Sequence, residues 1–195
     1  MSPRTEKQYE DIREERKAQI KNVALEIIFE EGFQNTSISK IAKRAGISKG
    51  LLYNYYESKE DMIREIILDG MEDLMRNFDP NKDGILTDEE AKYFIDEMFN
   101  ILKSNIKYWR LYFSVMLQPK VMSLIQDRFM KAMEPVMNIL ISYFKSKGYD
   151  NPIVEVRMIV AMLDGFAFHF ILDPKHFPLE EIKKRLYEYT KTMKP

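Results

Sequence analysis

Between residues 79 and 90 the chain reads DPNKDGILTDEE, a run in which oxygen donors recur at nearly every second position. Asp79, Asn81 and Asp83 supply side-chain oxygens two residues apart. Gly84 permits a sharp turn, Ile85 offers a backbone carbonyl and Thr87 a hydroxyl, and Glu90 is placed to close a coordination shell through both carboxylate oxygens. Hard oxygens at this spacing suit Ca²⁺ better than a transition metal. A second cluster, TSISKIAKRAGISKGLLYNYYESK at 36–59, holds five cations (Lys40, Lys43, Arg44, Lys49, Lys59) against the single acid Glu57. Four cations before Leu51 and the tyrosines Tyr53, Tyr55 and Tyr56 after it suit the phosphates and base edges of a duplex. Nothing comparable suggests catalysis. There is no cysteine, which excludes thiol chemistry and thiolate metal sites. No nucleophile motif, phosphate-binding glycine loop or acid–base pair stands out. His169 and His176 are too few for a histidine-rich metal centre. The sequence therefore predicts a non-enzyme with no organic cofactor.

These clusters need helices to hold them. Apolar residues recur at helical spacing through most of the 195 residues, glycine is scarce and eight prolines punctuate the chain. The fold class predicted is all-α, with about nine helices. Residues 1–10 read as a polar arm, and Ile20, Val23, Ala24, Ile27 and Ile28 form the first apolar stripe. Thr36 is the expected cap of a second helix over 37–45, and Gly46 supplies the turn to a third over 48–55. A three-helix head at 1–57 is followed by a bundle at 58–195, with a fourth helix over 58–78 as connector. The first residues contain no apolar signal core, and no apolar run is long enough to cross a bilayer, which predicts a cytoplasmic protein.

Two short helices joined by a glycine turn make a helix-turn-helix, whose second helix enters the major groove. If Leu52 and Tyr56 pack inward, Lys49, Gly50, Leu51, Tyr53, Asn54 and Tyr55 remain for the groove. Asn54 suits a base edge and Leu51 a thymine methyl. Thr36, Lys49, Lys59 and the tyrosine hydroxyls suit phosphate oxygens.

The run TSISKIAKRAGISKGLLYNYYESKEDM, with ALEIIFEEGF before it, resembles the N-terminal domain of the TetR/AcrR family of bacterial transcriptional regulators. The resemblance covers residues 17–66. It implies a homodimer on a pseudo-palindromic operator, usually a repressor released by a small molecule bound in the C-terminal domain. It carries the family's phosphate-gripping tyrosine to Tyr53, its fourth-helix lysine to Lys59 and its threonine cap to Thr36. Leu51 departs from the small or hydroxylated residue common at that place, which bears on the operator sequence. The 79–90 run resembles an EF-hand loop, with Phe78 before it and Leu86 at the apolar position after the glycine. That likeness implies possible Ca²⁺ binding, and with it an alternative function as a calcium-responsive helical interaction protein.

In the bundle, methionine and aromatic side chains outline an expected effector pocket for an apolar or aromatic molecule: Met98, Phe99, Trp109, Tyr112, Phe113, Met116, Met133, Met137, Met162 and Phe166, with Asp164 and His169 as polar groups. The same residues at helical spacing also make a plain core. Ala161 and Gly165, one turn apart, permit close helix approach, and Leu179, Ile182, Leu186 and Tyr189 follow a 3-4 spacing. These predict a dimer interface. The expected partners are operator DNA, a second copy and a small effector, without a membrane.

Overall fold

The computed structural model describes residues 5–192, with side chains through Glu188. Nine helices are present among the described residues: α1 (Glu6–Glu31), α2 (Ile38–Arg44), α3 (Lys49–Tyr53), α4 (Lys59–Met75), α5 (Asp88–Ser104), α6 (Ile106–Met116), α7 (Pro119–Ser146), α8 (Pro152–Leu172) and α9 (Leu179–Thr192). The all-α reading holds. The described part of the expected N-terminal arm is helical instead. Thr5 accepts a hydrogen bond from the Gln8 N–H, and the Gln8 side chain accepts one from the Thr5 N–H, so a reciprocal capping box starts α1 well before its apolar stripe. Pro135 lies inside α7 without ending it.

The chain divides into two compact units. The first runs to Gly70 and takes in Leu111–Gln126. Here Ile20, Ala24, Ile28, Ile41, Leu52, Ile63 and Ile66 are buried and give α1 to α4 a shared apolar interior. Lys17 pairs with Glu65 at 2.5 Å and Lys21 pairs with Asp69, tying α1 to α4. The hydrogen bond to Glu65 holds the Lys17 ammonium above its ordinary pKa, against the opposing effect of burial. Tyr112, from the end of α6, lies against α4 and donates to the Ile67 carbonyl at 2.7 Å. Its ring occupies the space a side chain at Gly70 would need.

The second unit holds Met71–Arg110 and the chain from Asp127 onward. Phe99 of α5 meets Phe170 of α8 edge to face, with centroids 5.6 Å apart. Asp96 of α5 takes Lys183 at 2.5 Å and the Tyr187 hydroxyl at 2.6 Å, both from α9. Burial opposes ionisation of Asp96, but those two hydrogen bonds outweigh it and hold the carboxyl below its ordinary range. Burial first, then the Asp96 hydrogen bond, pushes the Tyr187 phenol up. Arg110 donates to the Ile171 carbonyl at 2.8 Å and closes the C-terminal end of α8.

Candidate nucleic-acid interface

The helix-turn-helix is built by its caps. Ser37, rather than the expected Thr36, is the N-cap of α2 and accepts from the Lys40 N–H at 3.2 Å. Gly46, at φ 67°, takes the chain through the left-handed region between α2 and α3. Ser48 caps α3 through the Leu51 N–H at 3.0 Å. Leu52 and Tyr56 are buried and fix the roll of α3. That roll leaves Lys49, Gly50, Leu51, Tyr53 and Asn54 exposed and Tyr55 half-buried. The Lys49 ammonium lies 5.7 Å from the Tyr53 ring centroid, and the Arg13 guanidinium, from α1, lies 5.9 Å from the Tyr55 ring. Arg13 carried no signal in the sequence, because its place beside α3 depends on how α1 crosses the head.

Thr36 and Lys59 sit differently from the residues expected at the groove. Thr36 is buried, and its hydroxyl donates to the Gly32 carbonyl at 3.0 Å. The Lys59 ammonium donates to the carbonyls of Phe33 at 2.8 Å, Thr36 at 2.8 Å and Gln34 at 3.4 Å, and lies 4.5 Å over the Phe33 ring. An ammonium has three N–H bonds, and all three have protein acceptors here. Lys40 pairs with Glu31 at 2.5 Å and Arg44 forks onto Glu30 at 2.5 and 2.8 Å. Of the five cations between residues 36 and 59, Lys43 and Lys49 are therefore left without an acid or carbonyl partner among the described residues.

The oxygen-rich loop is not a calcium site, which corrects the reading of the 79–90 run. Its donors close on the loop's own backbone. Asp79 accepts from the Gly84 N–H at 3.1 Å, Asn81 from the Asp83 N–H at 3.1 Å, and Asp83 from the Ile85 N–H at 2.8 Å. The Asn81 amide also donates to Asp83, and Glu90 accepts both the N–H and the hydroxyl of Thr87 at 2.9 Å. Among the described residues no three acidic or histidine side chains converge as a cation would require. Glu90 is the closing member of the capping box that starts α5. Phe78 and Leu86 are buried, and Phe78 stacks edge to face on Phe94. The features that mimic a calcium loop are those of an anchored turn feeding a helix.

The expected pocket residues separate. Tyr112, Phe113 and Met116 belong to the first unit and the rest to the second. Met98, Phe99 and Trp109 are buried, and the Trp109 indole donates to the Ile101 carbonyl at 3.0 Å. Met133, Met137, Met162 and Phe166 are half-buried, while Asp164 and His169 are exposed. Apolar surroundings raise the Asp164 carboxyl above its ordinary pKa even though part of it meets solvent. Of the expected interface residues, Leu179 and Leu186 are buried within the chain itself, and Ile182 is half-buried. Ala161 is exposed and Gly165 half-buried on α8. The Tyr189 side chain lies outside those described.

Comparison with known proteins agrees with the geometry of the head. Residues 20–66 match the profile of the bacterial regulatory proteins, tetR family. In sequence and in fold, the chain is related to the TetR/AcrR regulators. The HTH-type transcriptional regulator PksA of Bacillus subtilis is 22% identical, over 92% of this chain and 90% of that protein. A fatty acid metabolism regulator of the same organism is 31% identical over 43% of this chain and 44% of its own length. The crystal structure of the Bacillus subtilis transcriptional regulator FadR in complex with stearoyl-CoA superposes with a TM-score of 0.69 at 21% identity, covering 90% of this chain and 97% of that one. The family profile covers the head, and the solved structure shares the helical fold over most of the chain. Among the described residues no helix is long and apolar enough to cross a membrane.

Proposed function

We propose that this protein is a TetR-family regulator, a dimeric repressor that reads a pseudo-palindromic operator with α3 and is released by an apolar effector. The observation that carries the reading is the split of α3 and the turn that follows it into a buried side, Leu52 with Tyr56, and an open side, Lys49, Gly50, Leu51, Tyr53 and Asn54. Two buried anchors four residues apart present those side chains as one surface. Asn54 and Leu51 read base edges, while Lys49 and Tyr53 grip phosphate. Thr36 and Lys59 act behind them by shaping the segment that precedes α2.

The second copy is assigned to α8. Val154, Met158, Phe168 and Leu172 are 43–51% exposed, and with Ala161 and Gly165 they follow a 4-3-4-3-4 spacing opposite the buried side of the helix. Small residues at the middle of such a stripe allow two helices to approach closely. For the effector, the half-buried pairs Met133 with Met137 and Met162 with Phe166 each lie one turn apart, and each makes an adaptable apolar face. Stearoyl-CoA in a structural relative favours a long acyl chain as the apolar part.

Duplexes selected by the protein from a random pool supply the test. Asn54→Ala weakens binding to the selected duplex by about 1–3 kcal/mol and relaxes the preference at one position. Tyr53→Ala weakens binding without changing the preferred sequence. Retention of full affinity and selectivity by both folded variants refutes the reading surface.

A further inference from the structure

The peptide of Phe33 is gripped from two sides by side chains distant in sequence. Gln118, in the turn between α6 and α7, accepts the Phe33 N–H through Oε1 at 3.0 Å and donates through Nε2 to the Ile28 carbonyl at 3.2 Å. Lys59 takes the Phe33 carbonyl. These contacts all lie within the first compact unit. Phe33 follows Gly32, the C-cap of α1, and precedes by four residues Ser37, the N-cap of α2. The Phe33 N–H, the first beyond the cap of α1, has no helical partner, and the Ile28 carbonyl, which already accepts the Gly32 N–H at 2.9 Å, has a second lone pair to offer. Gln118 serves both, which takes a side chain carrying a donor and an acceptor on the same amide. Its backbone is held by its own N–H on the Val115 carbonyl and by the Met122 N–H on its carbonyl, so the amide is presented from a fixed turn.

We propose that Gln118 is a positioning residue for DNA reading: by clamping the end of α1 it sets the attitude of α2 and α3, although none of its hydrogen bonds is to α3. The inference rests on the reading of α3 as the DNA-reading helix. The apolar interior of the head does not include Gln118, so its loss leaves the head folded. What it loosens is the segment 32–36. Phe33 and Thr36 are buried, so a shift at Phe33 passes to α2 and through Gly46 to α3. A head that samples several attitudes binds with its affinity reduced by the fraction in the competent one.

The test compares wild-type protein, Gln118→Met, which removes donor and acceptor at similar length, and Gln118→Glu, which keeps the acceptor and removes the donor. Each is measured for affinity to a duplex selected by the wild type from a random pool, and for amide hydrogen exchange at single residues. Gln118→Met is expected to bind about tenfold more weakly, the weight of one or two such hydrogen bonds. The Phe33 amide should exchange faster while the buried amides of α4 keep their protection. Gln118→Glu should retain Phe33 protection and fall between the other two in affinity. Wild-type affinity in Gln118→Met, or weaker binding with Phe33 exchange unchanged, overturns the proposal. If Gln118→Met fails to fold, Gln118→Glu decides alone: full wild-type affinity, or loss of Phe33 protection, overturns it. If the wild type selects no duplex, the DNA-reading function falls and this inference with it, an outcome distinct from a defect confined to the variants.

Discussion

Gly70→Ala reverses the usual effect of its substitution type. In the interior of an exposed helix, alanine stabilises over glycine by about 1 kcal/mol. At Gly70 an added Cβ would lie 2.9 Å from both Cδ2 and Cζ of Tyr112, and closer still to Cε2. Real Cβ contacts essentially never fall under 3.0 Å, so the ring must move. It is not a free end: Tyr112 is 1% exposed and its hydroxyl is bound to the Ile67 carbonyl. Overpacking of this kind costs about 1–3 kcal/mol, and losing a buried hydrogen bond adds about 1 kcal/mol. Offsetting these by the helix propensity leaves a net loss of about 1–3 kcal/mol. The assay is urea unfolding of wild type, Gly70→Ala, Tyr112→Leu and the double variant. Removing the ring removes the collision, so Gly70→Ala should become stabilising by about 1 kcal/mol in the Tyr112→Leu background. A change of sign between backgrounds is the signature. Stabilisation by Gly70→Ala in the wild-type background, or the same effect in both, refutes the packing argument.

Three other outcomes follow from single groups. The Tyr56 hydroxyl is buried without a hydrogen-bond partner, and burial, reinforced by the Glu65 and Asp69 charges, pushes its pKa up. Tyr56→Phe should therefore leave the melting temperature unchanged or higher, whereas a drop of more than about 1 kcal/mol would reveal a hidden partner. Asp164 has a raised pKa through burial, so its ionisation opposes folding; stability attached to it is full below the unfolded carboxylate pKa and falls as pH rises through the folded value. Asp164→Asn should raise thermal stability at pH 7 and give no gain at pH 3, and a pH-independent gain would count against the titration. Adding Ca²⁺ or a chelator should not move the melting temperature, and Asp79→Ala and Glu90→Ala should leave that indifference intact; a calcium-dependent rise lost in both variants would restore the cation reading.

Much of the head was legible in local sequence because its signals are local. Gly46 ahead of the Ser48 cap marks a turn by backbone conformation and short-range hydrogen bonds alone, although the cap of α2 falls on Ser37 and not on the expected Thr36. Leu52 and Tyr56, one turn apart, declare the buried side of α3 and so expose Lys49, Leu51, Tyr53 and Asn54. The 79–90 loop shows the limit of the same method. Spacing reports which oxygens are near one another along the chain, and not where they point. Asp79, Asn81, Asp83 and Glu90 have nearby N–H groups to accept, and those shorter-range bonds decided their direction.

The amino-acid sequence by itself determined most of the helices, the turn and the side of α3 that faces outward, since each depends on residues within a few positions of one another; the capped start of α1 at Glu6 is the exception. Only the tertiary structure decided which polar groups were already engaged. Lys59 is a cation in any reading of the sequence, but three carbonyls brought together by the end of α1 take its three N–H bonds. Gln118 and Arg110 carry no motif, and their roles arise because folding brings backbone groups at the C-terminal ends of α1 and α8 within reach of their side chains. Unpaired backbone at a helix end must find a partner somewhere, and which distant residue meets it depends on packing across the fold rather than on neighbours in the chain.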